Sequence, residues 1–530
     1  MASKIFYGAP IYTMDDERKV AEAVVVVEGK VEYVASDSDE ALALYPDSEL
    51  IRIHGGCILP GFVDAHLHLR DFSLLFRDLD LSQFREKQEV LDGVHRAAAK
   101  KKGGKWLAAG GLANPLLESL SRQELDQAAP GVPVLLHSGD MHSAVASSVA
   151  LLKAGIDETR ADPMGGRIER DAAGIPSGVL RERAVEILTR IVPEDKARRV
   201  DVALERGIHK LLSCGITTFC DCSAGLGQNP MKSLVRLAGR GRLPARGVMM
   251  LGEGDAAKLG DVGIPSLFGD ARLRIGGLKV IMDGSLGSLT GHMSKPYVGG
   301  GFGMLLMSEE ELYTLLKKSY SNRIWAAVHC IGDKANEIAL NVFQKLERER
   351  GVPSLLQRIE HAKSLKDEDI ERVASLGVIA VVNPNHIPID REKAIRHLGP
   401  DARLLYRFRS LIAAGAQIAF ASDAPVASVN PFHILYCAVE RKDFRDGPEL
   451  RFYPKEKISL ADAVRAYTIG GATALGLEKE IGSLEPGKTA DLIHVSKDIF
   501  QQDTAALSET EVMATYLEGM QAYSRAGSEK

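Results

Sequence analysis

Cysteine is scarce in this chain, with six residues in 530 (Cys57, Cys214, Cys220, Cys222, Cys330 and Cys437), and their spacing is not that of a disulfide framework. Cys220-Asp221-Cys222 has no second pair at zinc-ribbon spacing and reads as structural. A reducing, cytoplasmic setting follows as the expectation. Charge of one sign is also lacking: the formal net charge is −5, which gives no electrostatic argument for nucleic acid or an anionic membrane. No uninterrupted apolar run approaches the roughly 18 residues of a membrane span. The opening "MASKIFYGAPIYTMDDERKV" has no apolar core with a small-residue cleavage site, so no secretory leader is expected. What remains, 45% hydrophobic and 26% charged residues, is ordinary globular composition.

Both chain ends are rich in β-formers. "AEAVVVVEGKVEYVAS" is two β-rich runs about Glu28-Gly29-Lys30, a hairpin signal. "GSLEPGKTADLIHVS" and "MATYLEGMQAYS" repeat the character near the C-terminus. The middle alternates strand-like and helix-like pieces. Eight candidate buried strands stand out: "ILPGFVDAHLH" (58–68), 215–222, 245–252, 274–284, 324–332, 357–364, 377–384 and 416–423. That count predicts an α/β fold, a (β/α)8 TIM-like barrel. The barrel is expected over 59–481, with an insertion at 70–208 after its first strand. A small sheet domain completed by both chain ends is expected from 1–58 plus 482–530. The Gly-rich "YVGGGFGML" (297–305) is a candidate flap.

Polar residues interrupt these apolar strands at a consistent place. In such barrels chemistry sits at the C-terminal strand ends. His66 and His68 end the first strand, one residue apart and so on one face. Lys279 lies inside "GGLKVIMDG", His329 ends the fifth strand, His361 the sixth and Asp423 the eighth. Together they predict a metal site. A buried ammonium beside divalent cations would be repelled. A neutral amine that takes up CO2 becomes an anionic carbamate able to bridge two metals, so a carboxylated Lys279 is expected; an ion pair from Lys279 to Asp283 is the structural alternative.

"LPGFVDAHLHL", "LKVIMDGSLGS", "AVHCIGDKA", "RIEHA", "FASDAPV" and "GSLEPGKTADLI" resemble the amidohydrolase superfamily. "DMHSAVASSVAL", "DPMGGRIERDAAGIPSGVLRERA" and "SLADAVRAYTIGGATALG" narrow this to the amidohydrolase-3 group, with its YtcJ-like and N-substituted formamide deformylase-like members. The resemblance implies that the terminal sheet domain, 1–58 plus 482–530, is a β-sandwich, and that the barrel holds a binuclear centre, usually Zn2+. His66, His68 and Asp423 would hold one metal, His329 and His361 the other, and Lys279 would bridge them. It implies hydrolysis of a C–N bond (amide, N-formyl or cyclic amide) in a small molecule by a metal-bridging hydroxide, with Asp423 as catalytic proton shuttle. The chain departs from the family's pattern at Asp140-Met141-His142 and at Gly111-Leu112, where the family often has Asp-Gly-His and a second Trp.

Candidate substrate contacts are His142 in the insertion, Asp283 and Ser285 past the fourth strand, His386 in "NPNHIPID", and Trp106. Asp283 and Ser285 have the alternative of orienting Lys279, and Trp106 that of core packing. Three other readings compete: a mononuclear deaminase of the superfamily, which would carry Glu where this chain has Gly332; an ester or lactone hydrolase; and a non-catalytic barrel protein. The expected partners are a small-molecule amide and, as the commonest assembly, a second copy in a homodimer, with neither nucleic acid nor membrane.

Overall fold

The computed structural model describes residues 3–16, 20–75, 79, 81, 84–101, 104–138, 143–163, 166–193, 197–224, 229–350, 355–444 and 446–525. Eight parallel strands follow one another in chain order around a barrel: Phe62–Leu67, Ile216–Asp221, Arg246–Leu251, Leu273–Ile281, Ala326–His329, Gln357–Glu360, Ile379–Val382 and Ile418–Phe420. The runs read as continuous apolar stretches because parallel strands are covered on both faces. The expected barrel is therefore present. Its seam, between the eighth strand and the first, is joined by the Asp423 N–H donating to the His66 carbonyl (2.9 Å) and the His68 N–H donating to the Ala424 carbonyl (2.8 Å).

Helices cover the outside. Glu309–Ser321 starts with a capping box, in which Ser308 N–H donates to Glu311 (2.8 Å) and Glu311 N–H to Ser308 Oγ (3.3 Å). Asp333–Arg350, Asp367–Ser375 and Ile387–Leu398 follow the fifth, sixth and seventh strands. Their apolar faces pack into one large barrel core with Leu312, Phe343, Ile370 and Ile387.

The first expected strand is cut in two. Cys57–Pro60 belongs to a different sheet, and the barrel strand begins at Phe62. Gly61 is the joint. A Cβ there would stand 2.2 Å from Thr217 Oγ1, so only glycine lets the chain pass against the second strand. Cys57–Pro60 pairs antiparallel with Leu492–Val495, and through it strands from both chain ends share one eight-stranded sheet. The expected hairpin lies there as Ala21–Val27 and Lys30–Ala35, turning through Glu28 (φ 50°) and Gly29 (φ 80°).

Between the first and second barrel strands lies a separate five-stranded sheet in the order Gly166–Arg170, Pro176–Glu182, Ser143–Ala146, Val134–Ser138, Leu107–Leu112. The segment "LRERAVEILTRI" reads from sequence as one helix. The structure gives its first three residues to the strand Pro176–Glu182 and begins the helix at Arg183, because Leu180 and Arg181 pair with Ala144 and Ser143. The Gly-rich candidate flap folds back on itself: Tyr297 N–H donates to Gly301 (2.8 Å), and Val298 N–H to the His397 carbonyl (2.8 Å). None of the six cysteines is in a disulfide. Among the described residues no helix is long and apolar enough to cross a membrane.

Gly61→Ala should lower the thermal midpoint, by the equivalent of about 1–3 kcal/mol for overpacking against Thr217. Differential scanning fluorimetry checks this, and an unchanged midpoint would mean that the joint has room.

Candidate metal centre

The strand ends bring the predicted histidines into one cluster. Ring centroids are 5.4 Å apart for His66 and His68, 5.0 Å for His66 and His361, and 4.7 Å for His329 and His361. Asp423 closes the group: its Oδ1 is 3.5 Å from His66 Nε2 and 3.3 Å from His68 Nε2. Ligand atoms of His66, His361 and Asp423 all lie within 4.8 Å of one another, and all three residues are buried. Asp423 has φ 56° and His361 φ 69°. Left-handed backbone at non-glycine residues is uncommon and marks sites held by their surroundings. Here it turns each side chain inward just where its strand ends.

One nitrogen of each of three rings, His66, His361 and His329, is held by a partner, whereas His68 Nδ1 has no hydrogen-bond partner among the described residues. His66 Nδ1 bonds Glu360, whose carboxylate is gripped by Arg358 through Nε (2.8 Å) and Nη2 (2.9 Å). Arg358 is wholly buried and also donates to the carbonyls of Ala65 (2.8 Å) and Ala474 (2.9 Å). Burial alone would raise the Glu360 carboxyl, but Arg358 and His66 outweigh it and hold it well below the usual range. An ionised carboxylate only accepts, so His66 donates from Nδ1 and keeps its lone pair on Nε2. His361 does likewise: its Nδ1 bonds Asn383 Oδ1 (2.8 Å), and the Asn383 amide is oriented by donating to the Ala421 carbonyl (3.0 Å). His329 Nε2 donates to the Gly284 carbonyl (3.1 Å), which places its lone pair on Nδ1.

Burial disfavours the charged form of His66 and His361, and a metal ligand must be neutral. Burial, then Lys279, brings His66 down to about 4 against the pull of Glu360 and Asp423. Burial pushes His361 well below its ordinary value, opposed by Asp423 and aided by His329, His66 and Lys279. For Asp423, burial would raise the carboxyl, yet His68, His361 and His66 beside it hold it well below the carboxylate range.

Lys279 sits on the fourth strand, buried, and its Nζ has no hydrogen-bond partner among the described residues. The alternative of an ion pair to Asp283 is not what the structure shows: both Asp283 oxygens accept from backbone, Oδ1 from Ile331 N–H (2.9 Å) and Oδ2 from Gly332 (2.8 Å) and His292 (2.8 Å). Through these bonds Asp283 ties the loop after the fifth strand to the fourth strand. Ser285 Oγ accepts from Ser288 N–H (3.1 Å) within a turn. Trp106 is half-buried and packs on the insertion's own apolar cluster. His386 is buried at the centre's edge, 6.3 Å from His361 between rings. His142 lies outside the described residues.

The donor set fits a divalent metal: neutral imidazoles, a carboxylate, and a buried amine with no partner, all at the C-terminal end of the barrel. With that geometry in place, comparison with known proteins is decisive. The sequence profile of the amidohydrolase family matches residues 49–523. The chain belongs to the amidohydrolase family. It is 30% identical to the putative amidohydrolase YtcJ of Bacillus subtilis over 98% of this chain and 99% of that one. It is 29% identical to the N-substituted formamide deformylase of Arthrobacter pascens over 100% and 99%. A metal-dependent hydrolase from Pyrococcus horikoshii superposes with a TM-score of 0.78 at 27% identity, over 95% of this chain and 99% of that structure.

Sequence reasoning singled out the histidines of this family member but passed over Arg358, Glu360 and Asn383. A signal for the first two was present: opposite charges two apart in the buried strand Gln357–Glu360 share a face and can only be paired. Glu360→Gln should weaken metal affinity by about 10–100-fold, as is typical when the partner that orients a ligand is lost. Competition against a chelator measures it, and native affinity would show that the His66 ring is fixed by something else.

Proposed function

We propose that this chain is a metal-dependent hydrolase of a carbon–nitrogen bond, amide, N-formyl or cyclic amide, in a small molecule. The observation that carries the reading is the buried Lys279 amine without a partner amid neutral imidazoles. An unpaired buried ammonium costs several kcal/mol in order of magnitude, whereas a carbamate on that nitrogen is an anion among metal ligands. In this reading His66, His68 and Asp423 would hold one Zn2+ ion, His329 and His361 a second, and a carboxylated Lys279 would contribute to both. The ions, when bound, supply a nucleophile at neutral pH and polarise the scissile carbonyl. The names of the deformylase and of the Pyrococcus hydrolase support the reaction class.

The chain's own residues do the rest. Asp423, held ionised, takes a proton from the attacking water and returns it to the leaving nitrogen as the C–N bond breaks. Its backbone N–H, donating to His66 (2.9 Å), keeps the carboxylate aimed during both transfers. His66 and His361 cannot take that proton, because burial holds them neutral and their Nδ1–H groups are committed. Burial of the whole group excludes bulk water.

A deaminase reading finds no support at its expected acid. A Cβ on Gly332 would stand 1.9 Å from the His292 carbonyl oxygen, so no glutamate fits there. Asp333, next along, is bonded to Ser294 through its N–H (2.9 Å) and its hydroxyl. The sandwich form of the terminal sheet, the boundaries 1–58 plus 482–530, and substrate contacts from His142, Ser285 and Trp106 belong to the same proposal.

Lys279→Ala should lose most bound metal, with partial recovery of metal and turnover in added short-chain carboxylate; elemental analysis and a rate assay read both, and full metal retention would sink the carbamate. Asp423→Asn should keep part of its metal and lose about 10²–10⁴-fold in turnover, the usual weight of a positioned acid–base group. The substrate experiment is a panel of N-acyl amines, N-formyl compounds, cyclic amides, esters and lactones on zinc-loaded protein. Cleavage of esters or lactones alone would overturn the C–N assignment.

A further inference from the structure

His386 faces the same centre as His66 and His361, yet its far nitrogen meets the opposite kind of partner. It ends the short turn Pro384–His386 after the seventh barrel strand. Its Nδ1 lies 3.3 Å from Lys363 Nζ. Lys363 is buried and ion-paired to Asp390 at 2.8 Å, and Asp390 also accepts from the Tyr406 hydroxyl. An ammonium donates three hydrogens and accepts none. His386 Nδ1 must therefore accept, and the ring proton must stand on Nε2. A carboxylate and an amide oxygen behind His66 and His361 place lone pairs at the centre; an ammonium behind His386 places an N–H there.

That N–H is uncommitted. His386 Nε2 is buried with no hydrogen-bond partner among the described residues. The nearest anionic atom, Asp423 Oδ2, is 3.6 Å away, beyond hydrogen-bond range. A ring in this tautomer has no lone pair to give a metal. It has one donor, and that donor stands 3.6 Å from the Asp423 carboxylate at which the proposed reaction takes place.

We propose that His386 is the hydrogen-bond donor to the oxygen that becomes anionic when the carbonyl turns tetrahedral, and that Lys363, Asp390 and Tyr406 are positioning residues that lock its tautomer. The inference rests on the hydrolase reading above and goes beyond it by assigning a role that reading leaves open. The lock is what makes the donor dependable. An imidazole free to exchange tautomers would present a lone pair to the oxyanion part of the time, and a fixed donor costs no reorganisation at the moment of reaction.

The test compares metal-loaded wild type, His386→Phe, His386→Gln, Lys363→Met and Lys363→Arg. Calorimetry reads the affinity of methylphosphonate, a tetrahedral anion, and of acetate, a planar one; elemental analysis reads metal content. His386→Phe should weaken methylphosphonate by about 10–100-fold, the range of a hydrogen bond to a charged group, and leave acetate and metal content unchanged. Turnover of whichever panel compound the wild type cleaves should fall by about 10²–10³-fold. His386→Gln, whose amide N–H reaches the Nε2 position, should recover most of both. Lys363→Met should weaken methylphosphonate selectively, and Lys363→Arg should restore it. Equal loss of both anions would make His386 a packing residue, loss of metal would make it a ligand, and no loss would leave it without a role; each overturns the proposal. A wild type that cleaves nothing in the panel overturns the parent reading instead, whereas an active wild type with an indifferent His386→Phe overturns only this one.

Discussion

An imidazole offers one lone pair, and the atom behind the ring decides which way it points. This constraint organises the whole mouth of the barrel. Glu360 and Asn383 stand behind His66 and His361 and turn them into electron-pair donors; Lys363 stands behind His386 and turns it into a proton donor. The ring identities are the same, and the chemistry differs because the sixth and seventh strands supply different partners. Residues that touch no reacting atom thus set what the site can do.

Those partners are charged and buried, so each needs its own support. Arg358, behind Glu360, has no exposed surface, and its guanidinium donates twice to Glu360 and once each to the carbonyls of Ala65 and Ala474. Removing one member of such a pair typically costs about 3–5 kcal/mol. The first barrel strand adds Asp64, brought up to about 6 by burial against the lowering effect of its bonds to Ser422, His66 and Tyr467. It accepts from Ser422 N–H (3.0 Å) and so helps to join the eighth strand to the first. Arg358, Glu360 and His66 form one connected set, and Asp64, Ser422 and Tyr467 another, which is the condition under which buried polarity is tolerated.

The barrel was legible in the sequence because parallel strands covered on both faces are long apolar runs, and a histidine, lysine or aspartate ending such a run stands out. His66, His68, Lys279, His329, His361 and Asp423 were visible for that reason. Three kinds of information were not. The break at Gly61 depends on Thr217, 156 positions away, which no local pattern reveals. The tie that Asp283 makes to the amides of Ile331 and Gly332, in the loop after the fifth strand, depends on residues about 50 positions away. Asn383 and Lys363 carry no distinguishing local pattern; their importance lies only in which ring nitrogen they meet.

The seam between the eighth and first strands has one more implication. Its two backbone–backbone hydrogen bonds involve His66, His68, Asp423 and Ala424, so the clasp of the barrel runs through residues of the proposed cation site. Breathing of the barrel at that line would separate the side chains that share an ion, and an ion held there resists the breathing. Cation occupancy and rigidity of the cylinder are thereby mechanically one property of this chain.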